Sequence, residues 1–283
     1  MIGEAVTTVI MTRNRWDDLA RTLPRHDGPV ILVDNGSTDQ TPQRVRAAFP
    51  DVVVIELDRN VASQARNIGV EAARTPYVAF ADDDSWWEPG ALARAAAHFD
   101  ARPRLALLAA RILVGEEERT DPVCTSMAVS PLGREPDLPG PSVLGFVACG
   151  AVVRRDAFLQ VGGFDPVIGF PGEEESLALD LAVAGWGLAY VDDVLAHHVP
   201  SATRPPSRER RTIETRNELL TTLMHRPWPV VGACALGAWR RGPTGRSALA
   251  RAALRAPRAL RRRRPLPRPI EARRRLLDQA VGT

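Results

Sequence analysis

The first half of the chain alternates short β-branched runs with stretches of helical spacing, and that alternation leaves few folds open. Residues 6–11, 30–33, 52–57 and 77–81 read as buried strands, and 16–23, 40–48 and 62–73 between them read as helices, with Thr38 or Asp39 placed to cap the second. The expectation is an α/β fold, a Rossmann-like, mostly parallel sheet flanked by helices. At 283 residues and 45% hydrophobic content the chain can bury the core such a sheet needs. Ligands of open α/β sheets collect at the carboxyl ends of the strands, so chemistry is sought just after them.

Further along, Glu88 and Pro89 open a helix to about 99, with Pro89 suited to its first position, and 105–110 is the next strand. Residues 115–141 are polar and proline-rich and read as one long loop. Order returns at 143–154, followed by a helix from Asp156, the turn Gly162-Gly163-Phe164-Asp165, a helix over 173–184 and a short strand at 189–191 leading to His197 and His198. The division expected is a catalytic body over 1–236, with halves of about 1–110 and 143–236, and an arginine-rich tail over 237–283 that is helical or disordered.

Asp82, Asp83 and Asp84 follow directly on a strand. Three adjacent carboxylates repel one another, and a hard divalent cation or a set of donors would compensate them; a solvated turn capping the next helix is the plainer alternative. Asp34 also ends a strand, where it can accept from a base N–H or a ribose hydroxyl or simply make an Asx turn. Arg66 falls in a helix beside the aspartates and can pair with them or with a phosphate. Trp86 and Trp87 can stack on a sugar or acceptor ring or fill core. A nucleotidyltransferase or a dehydrogenase would place glycines after the first strand, but Met11-Thr12-Arg13-Asn14-Arg15 has none. A sugar nucleotidyltransferase and a non-catalytic nucleotide-sugar binding protein remain open readings of these residues.

The segments 8–15, 33–41, 60–69 and 77–85, with Gly150–Arg155, Val161–Asp165 and Gly172–Glu175, resemble in order and spacing the inverting family 2 glycosyltransferases of the GT-A fold. The resemblance covers about residues 5–200. It implies a nucleoside-diphosphate sugar donor, UDP or dTDP ahead of GDP, an acceptor that is a glycan, a lipid-linked molecule or a small molecule, and Mn²⁺ or Mg²⁺. It implies a nucleotide-sugar site of Thr12, Arg15, Asp34, Arg66, Asp82 and Asp83, with Asp34 at the base and Asp82 at the ribose. Asp84, last acid of a DxD motif, and His198 would hold the metal. The base that takes the acceptor proton would be Glu174 or Glu173; the family usually has an aspartate where Glu174 stands.

All 37 basic side chains counted as Lys or Arg are arginines. From Gly237 to Thr283, fourteen arginines against Glu271 and Asp278 give +12, so with a whole-chain charge of +3 the preceding body carries −9. In the tail, Leu249, Ala252, Ala253, Ala256 and Leu260 share a helical face opposite Arg251, Arg255, Arg258 and Arg262, with Pro257 expected to interrupt the helix. That pattern suits an anionic membrane surface. Nucleic acid is not an expected partner, since no aromatics interleave the arginines. Cys124, Cys149 and Cys234 are too widely spaced for a metal motif and read as small hydrophobes. With no run of about eighteen apolar residues and no signal-like start, the expected location is the cytoplasm, with the tail at the inner membrane face.

Overall fold

The computed structural model describes residues 5–200 and 207–281. Its first part is β1 (Val6–Thr12), α1 (Trp16–Thr22), β2 (Val30–Asp34), α2 (Thr41–Ala48), β3 (Val53–Glu56), α3 (Gln64–Ala72) and β4 (Tyr77–Asp82). There follow β5 (Ser85–Trp87), α4 (Ala91–Asp100), β6 (Leu105–Val114), β7 (Arg119–Thr120), α5 (Pro122–Ala128), β8 (Ala151–Arg154), α6 (Arg155–Val161), α7 (Glu174–Val183) and β9 (Gly187–His198). Four helices complete the described residues: α8 (Ser207–His225), α9 (Trp228–Arg240), α10 (Gly242–Arg261) and α11 (Arg268–Val281).

The sheet order is β3-β2-β1-β4-β8-β6-β9-β5, with β7 on β6. β3, β2, β1 and β4 are parallel, β8 runs antiparallel between β4 and β6, and β6 pairs parallel with β9. β1, β2 and β4 are buried almost throughout, because crossover helices cover both faces of a parallel sheet. Their carboxyl ends therefore open together at one edge: Thr12 pairs with Asp34 and Met11 with Asp82.

Several expectations are corrected in detail. α4 starts at Ala91 with Gly90 in the left-handed region, so Pro89 precedes the helix instead of opening it. The 115–141 segment is not one loop: it holds β7 and α5, whose first turn is capped by the Asp121 carboxylate accepting from Val123 N. The strand expected at 189–191 runs from Gly187 through His198, so the two histidines lie on it. Asp39, not Thr38, serves α2, with Oδ1 accepting from Thr41 N at 3.1 Å.

The C-terminal segment is helical and packed, with 282–283 outside the described residues. α10 runs through Pro257 without ending there, and its buried positions are Gly245, Ala248, Ala252 and Ala259. Ala253 and Leu260, expected on the apolar face, are exposed. Arg255 donates to Val167 O and Ile168 O, and Arg262 pairs with Asp165 at 2.9 Å, so α10 is tied to the loop before α7. Among the described residues no helix is long and apolar enough to cross a membrane.

One glycine sets how closely α3 approaches the sheet. A Cβ on Gly69 would stand 2.3 Å from Val9 Cγ1, and valine has little rotamer freedom with which to yield. Gly69→Ala is expected to cost about 1–3 kcal/mol through overpacking, seen as a lower urea midpoint. An unchanged midpoint would mean that α3 does not depend on this contact.

Candidate active site

A cavity of about 410 Å³ opens at the carboxyl ends of β1, β2 and β4. Thr12, Arg15, Arg66, Asp82, Asp83, Asp84, Glu174 and His198 all line it. Strand order explains this: Thr12 and Asp82 end neighbouring strands, and Arg66 projects from the helix that crosses between β3 and β4. Asp34 and Glu173 are fully buried and do not line the cavity. Asp34 Oδ2 accepts from Ser37 N at 2.8 Å, while its Oδ1 is buried with no hydrogen-bond partner among the described residues.

Arg66 is the organising charge. It is wholly buried, and its guanidinium donates to Glu173 Oε1 at 2.6 Å and to Asp82 Oδ1 at 2.7 Å. Burial disfavours its charge, yet Asp82 and Glu173 hold its pKa above the ordinary arginine value. The fork bridges β4 to the start of α7, so the aspartate and glutamate clusters are set by one side chain.

The three glutamates are sorted by helical geometry, with successive positions about 100° apart. Glu173 is buried on Arg66, Glu174 borders the cavity, and Glu175 pairs with Arg274 of α11 at 2.6 Å. Burial and the neighbouring Glu174 push Glu173 up to about 8 against the pull of Arg66. Burial likewise raises Glu174, again opposed by Arg66.

On the opposite side the aspartates crowd. Thr12 Oγ1 donates to Asp83 Oδ2 at 3.1 Å, but burial, then Asp82 and Asp84, push the Asp83 carboxyl up to about 8. His198 Nε2 stands 3.3 Å from Asp84 Oδ1, brought there by the antiparallel pairing of Ser85 with His198. His197 points elsewhere and stacks on Trp86 at 5.1 Å. Trp86 also carries the Arg25 guanidinium 4.2 Å from its ring centre, and Trp87 is core, so neither tryptophan lines this cavity.

Sequence reasoning missed Asn35, Val147, Phe170 and Arg210, which also line the cavity. Asn35 is legible afterwards as the residue after a strand-end aspartate; its amide accepts from Val61 N and donates to Ala62 O, holding the loop before α3. Arg210 and Val147 carry no local signal. Cys149 lines the cavity too, and its burial raises the thiol well above the usual range. All three cysteines are free, with Cys124 and Cys149 buried.

Residues 7–162 match the description Glycosyl transferase family 2. A pre-mycofactocin glycosyltransferase of Mycobacterium tuberculosis is 34% identical over 201 residues, covering 68% of this chain and 42% of that relative. The chain thus spans about two fifths of that relative's length. An uncharacterised glycosyltransferase of the same organism is 31% identical over 198 residues, covering 68% of this chain and 85% of the relative. Among solved structures, a mannosyltransferase from Pyrobaculum calidifontis in complex with GDP-Man and Mn²⁺ superposes with a TM-score of 0.62 at 21% identity, over 98% of this chain and 86% of that one. The fold is GT-A.

Removing Arg66 would strand Asp82 and Glu173 as neighbouring unpaired acids. Arg66→Met is expected to cost about 3 kcal/mol or more in urea unfolding, and Arg66→Lys to recover little of it, because one ammonium lacks the planar fork that reaches both carboxylates. A loss below about 1 kcal/mol in Arg66→Met would show that the bridge is not a structural keystone.

Proposed function

The chain belongs to glycosyl transferase family 2, and from that premise we propose that it transfers a sugar, with inversion, from a nucleoside-diphosphate sugar to an acceptor hydroxyl. The donor nucleotide is UDP or dTDP ahead of GDP, and the acceptor is a glycan, a lipid-linked molecule or a small molecule. One observation carries the reading: of three consecutive glutamates, Glu174 alone borders the cavity that the aspartates ending β4 also line.

Inverting transfer requires a base on the face opposite the leaving group, within reach of the acceptor hydroxyl proton. Glu174 takes that role. Burial raises its pKa against the pull of Arg66, which makes its carboxylate a stronger base than an exposed glutamate's. Glu173 is a positioning residue, holding Arg66 against Asp82. As the glycosidic bond to the diphosphate breaks, the acceptor oxygen bonds to the anomeric carbon, its proton passes to Glu174, and the electron pair leaves with the nucleoside diphosphate. Thr12, Arg15, Asp82 and Asp83 form the nucleotide-sugar site in this reading, Asp34, buried behind the cavity wall, would join it through its unpartnered Oδ1 only if the wall gives way to the base, and Arg66 adds positive charge beside the leaving group.

The residues present fit a divalent cation. Burial, and then the neighbouring Asp82 and Asp84, push Asp83 up to about 8, and Asp84 lies beside the imidazole of His198, an oxygen and a nitrogen donor converging on one edge of the cavity. Among the described residues no three such side chains form a cage of their own, so diphosphate oxygens and water would complete the shell around Asp84 and His198. Bound there, Mn²⁺ or Mg²⁺ would supply Lewis-acid stabilisation of the leaving diphosphate.

Glu174→Gln is expected to lower turnover by about a hundredfold or more with donor affinity little changed. Glu175→Gln should stay near wild type, since its carboxylate serves Arg274. Because the folded pKa of Glu174 is raised and the base works only when ionised, the wild-type rate should fall on acidification from above the ordinary glutamate range. Activity retained in Glu174→Gln, or a product of retained anomeric configuration by NMR, would overturn the assignment.

A further inference from the structure

α9 has a composition and a placement that do not match. Its sequence, WPVVGACALGAWR, has one charged residue, as a core helix would, yet only Ala238 is buried. Trp228 is 59% exposed, Trp239 54% and Leu236 49%. The tryptophans are eleven positions apart, and eleven helical steps return within about 20° of the starting direction. Both rings therefore stand on one face, roughly 16 Å apart along the axis, with Gly232 exposed between them.

The segment that carries this face is basic, and the acid that meets α9, Glu218 of α8, lies against Cys234 and Arg241, which point away from the tryptophans. No acidic residue occurs between Glu218 and Glu271, an interval that contains twelve arginines. The Arg246 guanidinium lies 4.6 Å from the Trp239 ring centre and that of Arg263 lies 4.1 Å from Trp228, so a cation flanks each aromatic. Arg240, Arg246, Arg258 and Arg261 are exposed and have no ion-pair partner among the described residues. On α10, Leu254 is 83% exposed.

We propose that α9 lies in the plane of an anionic lipid bilayer, with Trp228, Leu236 and Trp239 at the headgroup–acyl boundary and the arginines of α9 and α10 on lipid phosphates. Tryptophans at both ends of an apolar face, with arginines beside them, match the depth profile of a membrane interface, where indole sits between headgroup and chain. A protein partner would have to supply a comparably broad anionic rim around an apolar stripe, whereas an anionic bilayer presents both everywhere. The proposal rests on this surface and not on the transfer reaction. It moves the membrane contact from the arginine-bearing face of the tail, much of which is spent on Glu209, Asp165 and the loop before α7, to the helix that precedes it.

The experiment is co-sedimentation of the full chain with phosphatidylcholine vesicles with and without phosphatidylglycerol, alongside tryptophan emission and light scattering. Binding is expected only with phosphatidylglycerol, with a blue shift, weakening as salt is raised. Trp228→Ser with Trp239→Ser should weaken it by about tenfold or more while the melting temperature stays near wild type, since both rings are exposed. Absence of binding to phosphatidylglycerol vesicles would overturn the proposal, as would undiminished binding by the double variant. A dimer in light scattering that the same double variant dissociates would overturn it too, by making the face a contact between copies.

Discussion

The buried fork of Arg66 between Asp82 and Glu173 is the interaction on which the cavity depends. A guanidinium with no exposure is tolerable only where acids meet it, and here the acids come from a strand end and a helix start that are 91 residues apart in sequence. Holding both fixes the distance across the cavity. It also decides the direction of α7: with Glu173 turned in on Arg66, the helical step turns Glu174 to the cavity and Glu175 to Arg274. The same charge that stabilises the core thereby selects which glutamate borders the cavity.

The other side of the cavity depends on a slip in the sheet. β6 and β9 pair in register from Leu107 with Leu188 to Ala110 with Val191, then resume at Arg111 with Leu195, so residues 192–194 bulge out. Arg94 donates to Asp193 O at 2.8 Å and His98 meets the Asp193 carboxylate at 3.0 Å, which ties the bulge to α4. Past the bulge, β9 continues far enough to pair with β5 and bring His198 to Asp84. Bulges re-aim side chains in this way at sheet edges next to sites.

The parallel half of the fold was legible because fully buried strands write continuous apolar runs, as in residues 30–33 and 77–81. The strand-end acids were legible for the same reason: once β4 is recognised, Asp82 to Asp84 can only lie at its carboxyl end. Three features were not. α5 hid in a proline-rich stretch because Pro122 suits a first helical turn as well as it suits a loop, and only the Asp121 cap decides between them. β5 is three residues long and exists through its pairing with β9, a contact that no local period encodes. The tail's packing was hidden because its buried row is glycine and alanine: a Cβ on Gly245 would stand 1.8 Å from Ala238 O of α9, and Ala248, Ala252 and Ala259 join an apolar cluster with Leu219, Leu220 and Met224 of α8. Arg210 and Phe170 reach the cavity through that tertiary arrangement and carry no motif.

The central claim is that the Arg66-bridged cavity is a nucleoside-diphosphate site completed by a divalent cation. Thermal denaturation of the full chain with UDP, dTDP and GDP, each with and without Mn²⁺, tests it most directly, because a ligand that binds only the native state raises the midpoint by mass action. A rise of several degrees is expected with UDP or dTDP in the presence of Mn²⁺, a smaller rise with GDP, and little with nucleotide or metal alone. Midpoints that no nucleotide shifts, or that shift equally with and without Mn²⁺, would contradict it.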